Sequence, residues 1–281
     1  MYDVIIIGSG PAGISAGIYL KRAKKNVLII SNGKSALEKA EKIENYYGIK
    51  SISGKELYEI GINQAESLNI PIEKDEVINV SYNENFIVTT ANSEYETKYV
   101  ILATGANRQV SPIKGVKEFE GKGVSYCAIC DAFFYKNKDV VVIGNGNYAL
   151  HEASNLKPVA NSVTILTNGK KMVENRSTDE FKIEETPIRE FRGSNVIEEV
   201  EFDNNETKKI DGVFIAVGTA SSTDLARKIG AVIKNNNIFV DENMQTSVKG
   251  LYACGDCTGG LLQINKAVYE GAKAAMHIIK R

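Results

Sequence analysis

A short β-branched apolar run, Val4 to Ile7, leads straight into Gly8-Ser9-Gly10-Pro11-Ala12-Gly13. A helix pattern from Ile14 to about Lys24 follows, then a second buried-strand pattern from Val27 to Ile30. Continuous apolar runs of this length mark strands covered on both faces of a parallel sheet. The unit is therefore β-α-β with Gly-x-Gly-x-x-Gly at its strand-to-helix turn, the context in which that motif binds a dinucleotide. Gly8 permits the tight turn, Gly10 lets a pyrophosphate reach the backbone, and Gly13 lets the helix pack on the strand. The helix N-terminus then faces the phosphates. The pattern recurs further on. A strand from Asp139 to Ile143 enters Gly144-Asn145-Gly146-Asn147-Tyr148-Ala149, followed by a helix to about Leu156 and a strand from Ser162 to Leu166. Two related nucleotide-binding units are expected.

Between the two turns lie further elements. A helical stretch runs around Gly54 to Leu68, and Glu76–Tyr82, Phe86–Thr90 and Glu94–Leu102 read as a small antiparallel meander. The last strand ends in Ala103-Thr104-Gly105, a second small-residue turn able to meet a cofactor. Residues from Pro112 to Gly123 read as a crossover between domains. Ile210 to Val217 and Asn237 to Val240 add strands, and Gly250 to Asp256 is a strand ending in a Gly-Asp turn before a helix from about Gln263 to Lys280.

The chain has 281 residues, enough for one large or two medium domains, with 43% hydrophobic and 25% charged residues. A net charge of −1 indicates no nucleic acid partner. No apolar run is long enough for a membrane span, and the start carries no basic leader, so a cytoplasmic protein is expected.

Half of the four cysteines sit in Cys127-Ala128-Ile129-Cys130-Asp131, just before the second glycine turn. Two thiols at this spacing can close a small disulfide ring, supply half of a zinc site, or be coincidence. In a redox pair one cysteine usually has a lowered pKa, and its thiolate is the reactive form. An acid directly after the second cysteine adds a proton carrier for the departing thiolate. For Asp131 the plainer alternative is a charge at a helix N-terminus.

The order of these motifs (GxGxxG, ATG, CxxCD, a second GxGxxA, a C-terminal GD) resembles the low-molecular-weight thioredoxin reductases over nearly the whole chain. The resemblance implies an α/β fold of two Rossmann-like, three-layer ββα domains of the FAD/NAD(P)-binding superfamily. It implies a discontinuous FAD-binding domain, residues 1–112 and 246–281, with an inserted redox-disulfide domain of NAD(P)-binding type at 113–245. It also implies a homodimer that reduces thioredoxin or a thioredoxin-like protein. Carried over by position, Gly8, Gly10, Gly13, Asn45, Ala103, Thr104, Gly105, Gly255, Asp256 and Gln263 are the expected FAD contacts. Asp256 would face the ribityl-phosphate end, with Asn45 and Gln263 nearer the ring. Cys130 would face the flavin, Cys127 would attack the substrate disulfide, and Asp131 would be the acid/base. The acid usual at the end of the second strand is missing. Ser31 and Asn32 stand there, so the ribose contact falls to Asn32 or another group.

One departure bears on the electron donor. The family's second domain carries a His-Arg-Arg cluster that grips the extra phosphate of NADPH. The matching strand end here reads Leu166-Thr167-Asn168-Gly169-Lys170-Lys171-Met172. A hydrogen bond to a charged group contributes about 1.5–3 kcal/mol, so losing two or three removes roughly 3–9 kcal/mol, about two to six decades in affinity. Lysine lacks the planar fork that would replace them. Asn145 and Asn147 also crowd the place of a pyrophosphate. The expected site is degenerate, and the pattern resembles the ferredoxin-dependent flavin thioredoxin reductases. The competing readings are an NADPH-dependent thioredoxin or peroxiredoxin reductase and a non-enzymatic zinc or iron-sulfur interaction protein.

Cys254-Gly255-Asp256-Cys257 is a second CxxC. The two pairs together suggest a four-thiolate metal site only if they meet. The expectation is no metal, with Cys254 a small buried residue and Cys257 either buried or an auxiliary redox group. His151 and His277 fall in helix patterns and read as surface or packing residues.

Overall fold

A computed structural model of the chain describes residues 1–33, 35–106, 113–173 and 179–281. The chain forms two compact units, Met1–Asn107 with Ser221–Arg281, and Arg108–Ala220.

In the first unit, β1 (Tyr2–Ile7) leads into α1 (Pro11–Arg22) and β2 (Val27–Ser31). Pro11 starts the helix, where its missing N–H is no loss and its fixed φ fits. Lys21 and Arg22 occupy the last turn, where the helix dipole favours cations. A capping box at Ser53 and Glu56 starts α2 (Gly54–Ser67). Then come β3 (Ile72–Lys74), β4 (Val77–Asn83), β5 (Asn85–Thr90) and β6 (Glu94–Leu102). The expected meander is present as β4-β5-β6.

The second unit holds β7 (Val124–Ser125), the single turn α3 (Ala128–Asp131), β8 (Asp139–Ile143), α4 (Asn147–Leu156), β9 (Ser162–Leu166) and β10 (Lys182–Glu184). Next come β11 (Ile188–Arg192), β12 (Glu199–Phe202), β13 (Thr207–Lys209) and β14 (Gly212–Ile215). Its parallel sheet runs β10-β9-β8-β14-β7, and β11-β12-β13 form a separate antiparallel sheet. The core gathers Val141, Ile143, Leu166, Phe191, Val200 and Val213.

The chain then returns to the first unit with α5 (Ser222–Lys228), the hairpin of β15 (Ile233–Lys234) and β16 (Asn237–Ile238), β17 (Leu251–Ala253) and α6 (Ile264–Ile279). Residues 221–245 therefore lie with the first unit, whereas the motif order puts them in the inserted one. The reason is tertiary: Ser222 bonds Thr104, and Lys228 Nζ donates to the carbonyl of Ile78 at 3.1 Å.

The first unit's sheet runs β3-β2-β1-β6-β5-β4, with β17 also on β6. Strands β1, β2, β3, β6 and β17 are mutually parallel along their pairings, so their carboxyl ends share one edge. In open sheets of this kind ligands bind at that edge.

The helices α1 and α6 pack through small residues. Ser15 Oγ donates to the carbonyl of Val268 at 2.8 Å, and a Cβ on Gly271 would lie 2.1 Å from the Ala12 carbonyl oxygen. Among the described residues, no helix is long and apolar enough to cross a membrane.

Gly271→Ala should force these helices apart. A loss of about 1–3 kcal/mol in denaturant unfolding is expected, as for other overpacked contacts. Unchanged stability would mean that the two helices can separate freely.

Candidate redox and dinucleotide sites

Cys127 and Cys130 form a disulfide, with their Cα atoms 5.3 Å apart. The ring is built on the single turn of α3. Cys127 caps that turn: its sulfur accepts from the Cys130 N–H at 3.2 Å, and its carbonyl accepts from the Asp131 N–H at 3.2 Å. Two side chains from other elements hold the turn at its root. Ser125, on β7, accepts from the Cys127 N–H at 3.1 Å and donates to Asp131 Oδ2 at 2.6 Å. Glu152, on α4 and only 1% exposed, accepts from the Ala128 N–H at 2.8 Å. A buried amide left without a partner costs about 1–3 kcal/mol, so this acid is a structural anchor of the redox turn.

Cys127 is 4% exposed, while Cys130 is exposed. Beyond the turn, Phe133 and Phe134 are 80% and 69% exposed, and their rings meet edge to face. Burial, and then the nearby Asp131 carboxylate, push the Tyr135 hydroxyl above its usual pKa.

The glycine turn of the first unit has the shape that its motif demands. Gly8 has φ +113°, and a Cβ there would lie 2.3 Å from the Ala103 carbonyl oxygen. A Cβ on Gly13 would lie 1.9 Å from the Gly8 carbonyl oxygen. In front of Gly10 the nearest atom to such a Cβ is Ser35 Oγ at 3.8 Å, so the approach is open. No side chain caps α1, and its first turn has no acid. Free amides at the positive end of a helix, behind an open glycine, fit the diphosphate of a flavin dinucleotide.

The other expected contacts gather along the same unit. Ala103 N–H donates to the Ile7 carbonyl at 2.8 Å, and Gly105 has φ +82°. Thr104 and Ser222 exchange hydrogen bonds, with the Ser222 N–H reaching Thr104 Oγ1 at 2.9 Å. Asn45 Nδ2 donates to Gln263 Oε1 at 3.1 Å, which joins two residues far apart in sequence. The Gly255 N–H donates to Glu270 Oε2 at 2.8 Å, and Lys266 Nζ donates to the Gly255 carbonyl at 2.8 Å. A largely buried Lys266–Glu270 pair thus holds both backbone groups of Gly255. Burial raises the Asp256 pKa, while Lys266 pulls it back.

At the end of β2, Ser31 stands buried with Asn32 after it. Ser9 Oγ donates to Ser31 Oγ at 2.8 Å and bonds the Tyr58 hydroxyl at 2.7 Å. These three hydroxyls line a cleft of about 400 Å³, along with Gly33, Glu59 and Lys74. Tyr58, Glu152, Ser222, Lys266 and Glu270 carry no motif. Only their tertiary position marks them.

The second glycine turn differs from the first. Asn145 Nδ2 donates to the Lys171 carbonyl at 3.0 Å, and the Val173 N–H donates to the Asn145 carbonyl at 2.7 Å. The segment after β9 is thereby fastened to the turn between β8 and α4. Asn147 is the first residue of α4 and is 7% exposed.

The second cysteine pair belongs to the first unit and the Cys127–Cys130 disulfide to the second. Cys254 and Cys257 are free thiols, 0% and 1% exposed, in the core of the first unit. The Cys257 thiol donates to the Cys254 carbonyl at 3.4 Å. Among the described residues, no group of three or more His, Cys, Asp or Glu could hold a metal ion.

Burial pushes the Cys257 thiol up to about 12 and raises Cys254 well above its ordinary value. Burial thus disfavours the reactive thiolate of each, and both thiols are shielded. In the reduced native protein, iodoacetamide should label Cys127 and Cys130 and spare Cys254 and Cys257, which label only in denaturant. Equal labelling of both pairs by mass spectrometry would contradict this burial.

The family model described as pyridine nucleotide-disulphide oxidoreductase matches residues 2–271. A thioredoxin reductase of Aquifex aeolicus is 36% identical over 301 residues, 100% of this chain and 93% of that protein. The atypical thioredoxin reductase TRi of Desulfovibrio vulgaris Hildenborough has a TM-score of 0.94 at 34% identity, covering 100% of this chain and 97% of that one. A ferredoxin-flavin thioredoxin reductase of Clostridium acetobutylicum has a TM-score of 0.73 at 34% identity, covering 99% and 97%. By this membership FAD is the cofactor. The chain belongs to the pyridine nucleotide-disulphide oxidoreductases and, within them, to the low-molecular-weight thioredoxin reductase family of flavin disulfide oxidoreductases.

Proposed function

We propose that this protein reduces thioredoxin or a thioredoxin-like protein through Cys127 and Cys130, with reduced ferredoxin as the electron donor. The observation that carries the disulfide chemistry is the Cys127–Cys130 ring, with Asp131 directly behind it and exposed Phe133 and Phe134 beside it. Exposed aromatics next to a dithiol suit a protein substrate better than a small one. FAD, when bound, supplies a carrier that accepts electrons singly or in pairs and yields a pair to a disulfide.

In this reading Gly8, Gly10 and Gly13 receive the diphosphate, and Ala103, Thr104 and Gly105 border it. Gly255 and Asp256 hold the ribityl-phosphate end, while Asn45 and Gln263 lie towards the ring. Asn32, or the Ser9–Ser31–Tyr58 hydroxyls, meets the ribose. Cys130, the exposed member of the pair, receives the electrons. Cys127 is covered while the ring is closed and attacks the substrate disulfide once it opens. Asp131 moves the proton. Assembly as a homodimer belongs to the same reading, as does a cytoplasmic setting, where buried thiols such as Cys254 and Cys257 stay reduced.

The donor rests on the second glycine turn. The hydrogen bonds between Asn145 and residues 171–173 fasten the segment after β9, where the extra phosphate of NADPH would be gripped, to this turn. The strand end offers Lys170 and Lys171 rather than an arginine fork. The energetics permit a low-potential donor. Plant-type ferredoxins lie near −400 mV and thioredoxin near −270 mV. A two-electron transfer across about 130 mV releases about 6 kcal/mol.

Two experiments check this reading. Cys130→Ser should accumulate a mixed disulfide with thioredoxin through Cys127, and Cys127→Ser should keep FAD but lose turnover. Full activity of Cys130→Ser, or trapping through Cys130 instead, would reverse the assignment. Under anaerobic conditions millimolar NADPH or NADH should bleach the flavin slowly or not at all. Reduced ferredoxin should bleach it and sustain thioredoxin reduction. Rapid stoichiometric bleaching by NADPH would return the protein to the nucleotide-dependent enzymes.

A further inference from the structure

Asp131 stands at the end of a four-residue turn, where a side chain on a short exposed segment has freedom to rotate. Among the described residues, its carboxylate makes one hydrogen bond, from the Ser125 hydroxyl at 2.6 Å. Ser125 is 5% exposed and lies on a strand paired with β14, so its own position is fixed by the sheet. The same oxygen accepts from the Cys127 N–H at 3.1 Å. One buried hydroxyl therefore ties the acid to the backbone of the first cysteine. Its single proton goes to Oδ2, the closer of the two acceptors in reach; the Cys127 carbonyl lies at 3.4 Å.

We propose that Ser125 is the positioning residue for Asp131: it fixes Oδ2 and leaves Oδ1 to carry the proton during dithiol–disulfide exchange. This rests on Asp131 being the proton carrier. In that step the Cys127 sulfur bonds one substrate sulfur, the substrate S–S bond breaks, and the other substrate sulfur departs as thiolate. Asp131 takes the proton of an enzyme thiol and delivers it to the departing sulfur. Cys130 then attacks the Cys127 sulfur of the mixed disulfide, the bond to the second substrate sulfur breaks, and the Cys130 proton passes to that sulfur as it leaves. The enzyme dithiol becomes a disulfide, the substrate disulfide becomes a dithiol, and no further reactant is needed. A carrier displaced by about 1 Å loses up to a hundredfold in rate. A charge-assisted hydrogen bond from a rigid strand is the device that prevents such displacement.

The test is a double-mutant cycle on the FAD-loaded enzyme, read as thioredoxin reduction with separate kcat and KM. Ser125→Ala should lower kcat about tenfold with KM within about twofold, since the loss is in positioning and not in binding. Ser125→Thr, which keeps the hydroxyl, should recover most of the loss. In the Asp131→Ala background, Ser125→Ala should cause less than about twofold further loss, because the group it positions is gone. Flavin absorbance and thermal melting of each variant report whether the fold is intact. An equal loss in both backgrounds would overturn the proposal, because Ser125 would then act through the Cys127 amide or through folding. So would full activity of Ser125→Ala. If Asp131→Ala itself is fully active, the reading of Asp131 as proton carrier falls, and the proposal with it.

Discussion

The carbonyl of Gly8 occupies the place that a side chain at residue 13 would need. That contact presses the start of α1 onto the end of β1, and much of the first unit follows from it. Glycine inside a helix is unfavourable by roughly 0.5–1 kcal/mol, and here the close packing offsets it. Further along α1, a Cβ on Gly17 would lie 3.1 Å from Ile29 Cδ1, and Ala12 meets Gly271 of α6. The helix is thus held closely between the sheet and α6, with Ile14 and Leu20 filling the core beside the glycines. Its free amides are carried to the edge where β1, β6 and β17 end side by side. Because β6 pairs with β1 on one side and with β17 on the other, the Ala103–Gly105 turn lies between the Gly8 and Gly255 turns.

The parts of the molecule that are local in sequence were readable from it. Apolar runs such as Val4–Ile7 and Asp139–Ile143 have one stable use, as covered parallel strands, and the glycines between strand and helix leave little choice of turn. The end of β6 and the body of α6 follow from the same periodicity. What could not be read depends on distant partners. Ser222 resembles any helix-capping serine, yet its bonds to Thr104 draw residues 221–245 into the first unit. Tyr58 is one aromatic in an amphipathic helix until the fold sets its hydroxyl on Ser9. Glu152 sits in a run of buried residues, where an acid reads as an anomaly; its partner is an amide more than twenty positions earlier.

The two glycine turns show how one topology can diverge through a few side chains. At the middle glycine the two turns are alike, since a Cβ on Gly10 or on Gly146 would meet nothing closer than 3.8 or 3.9 Å; one position earlier, Asn145 stands where the first turn has Ser9 and binds the chain that follows β9. A side-chain amide both donates and accepts, so it can fasten two backbone segments that glycine would leave apart. The sheet beneath is unaffected, since β8, β9 and β14 keep their parallel register. Stability and ligand binding are thereby separated: the strands carry the fold, and the turn decides what may approach it.

The anchoring of the redox turn by Ser125 and Glu152 has a consequence for the reduced state. Both bonds are made to backbone amides, and neither depends on the sulfur–sulfur bond. When the ring opens, the backbone at the Cys127 end of the turn is still fastened at two successive residues, while the Cys127 side chain and the short arc to Cys130 gain freedom. Reclosure is then a search over a few torsions and not over a flexible loop, so the effective concentration of one thiol at the other stays high. The covalent link is the expendable tie in this turn, broken and remade in each cycle, while two hydrogen bonds keep the memory of where it belongs.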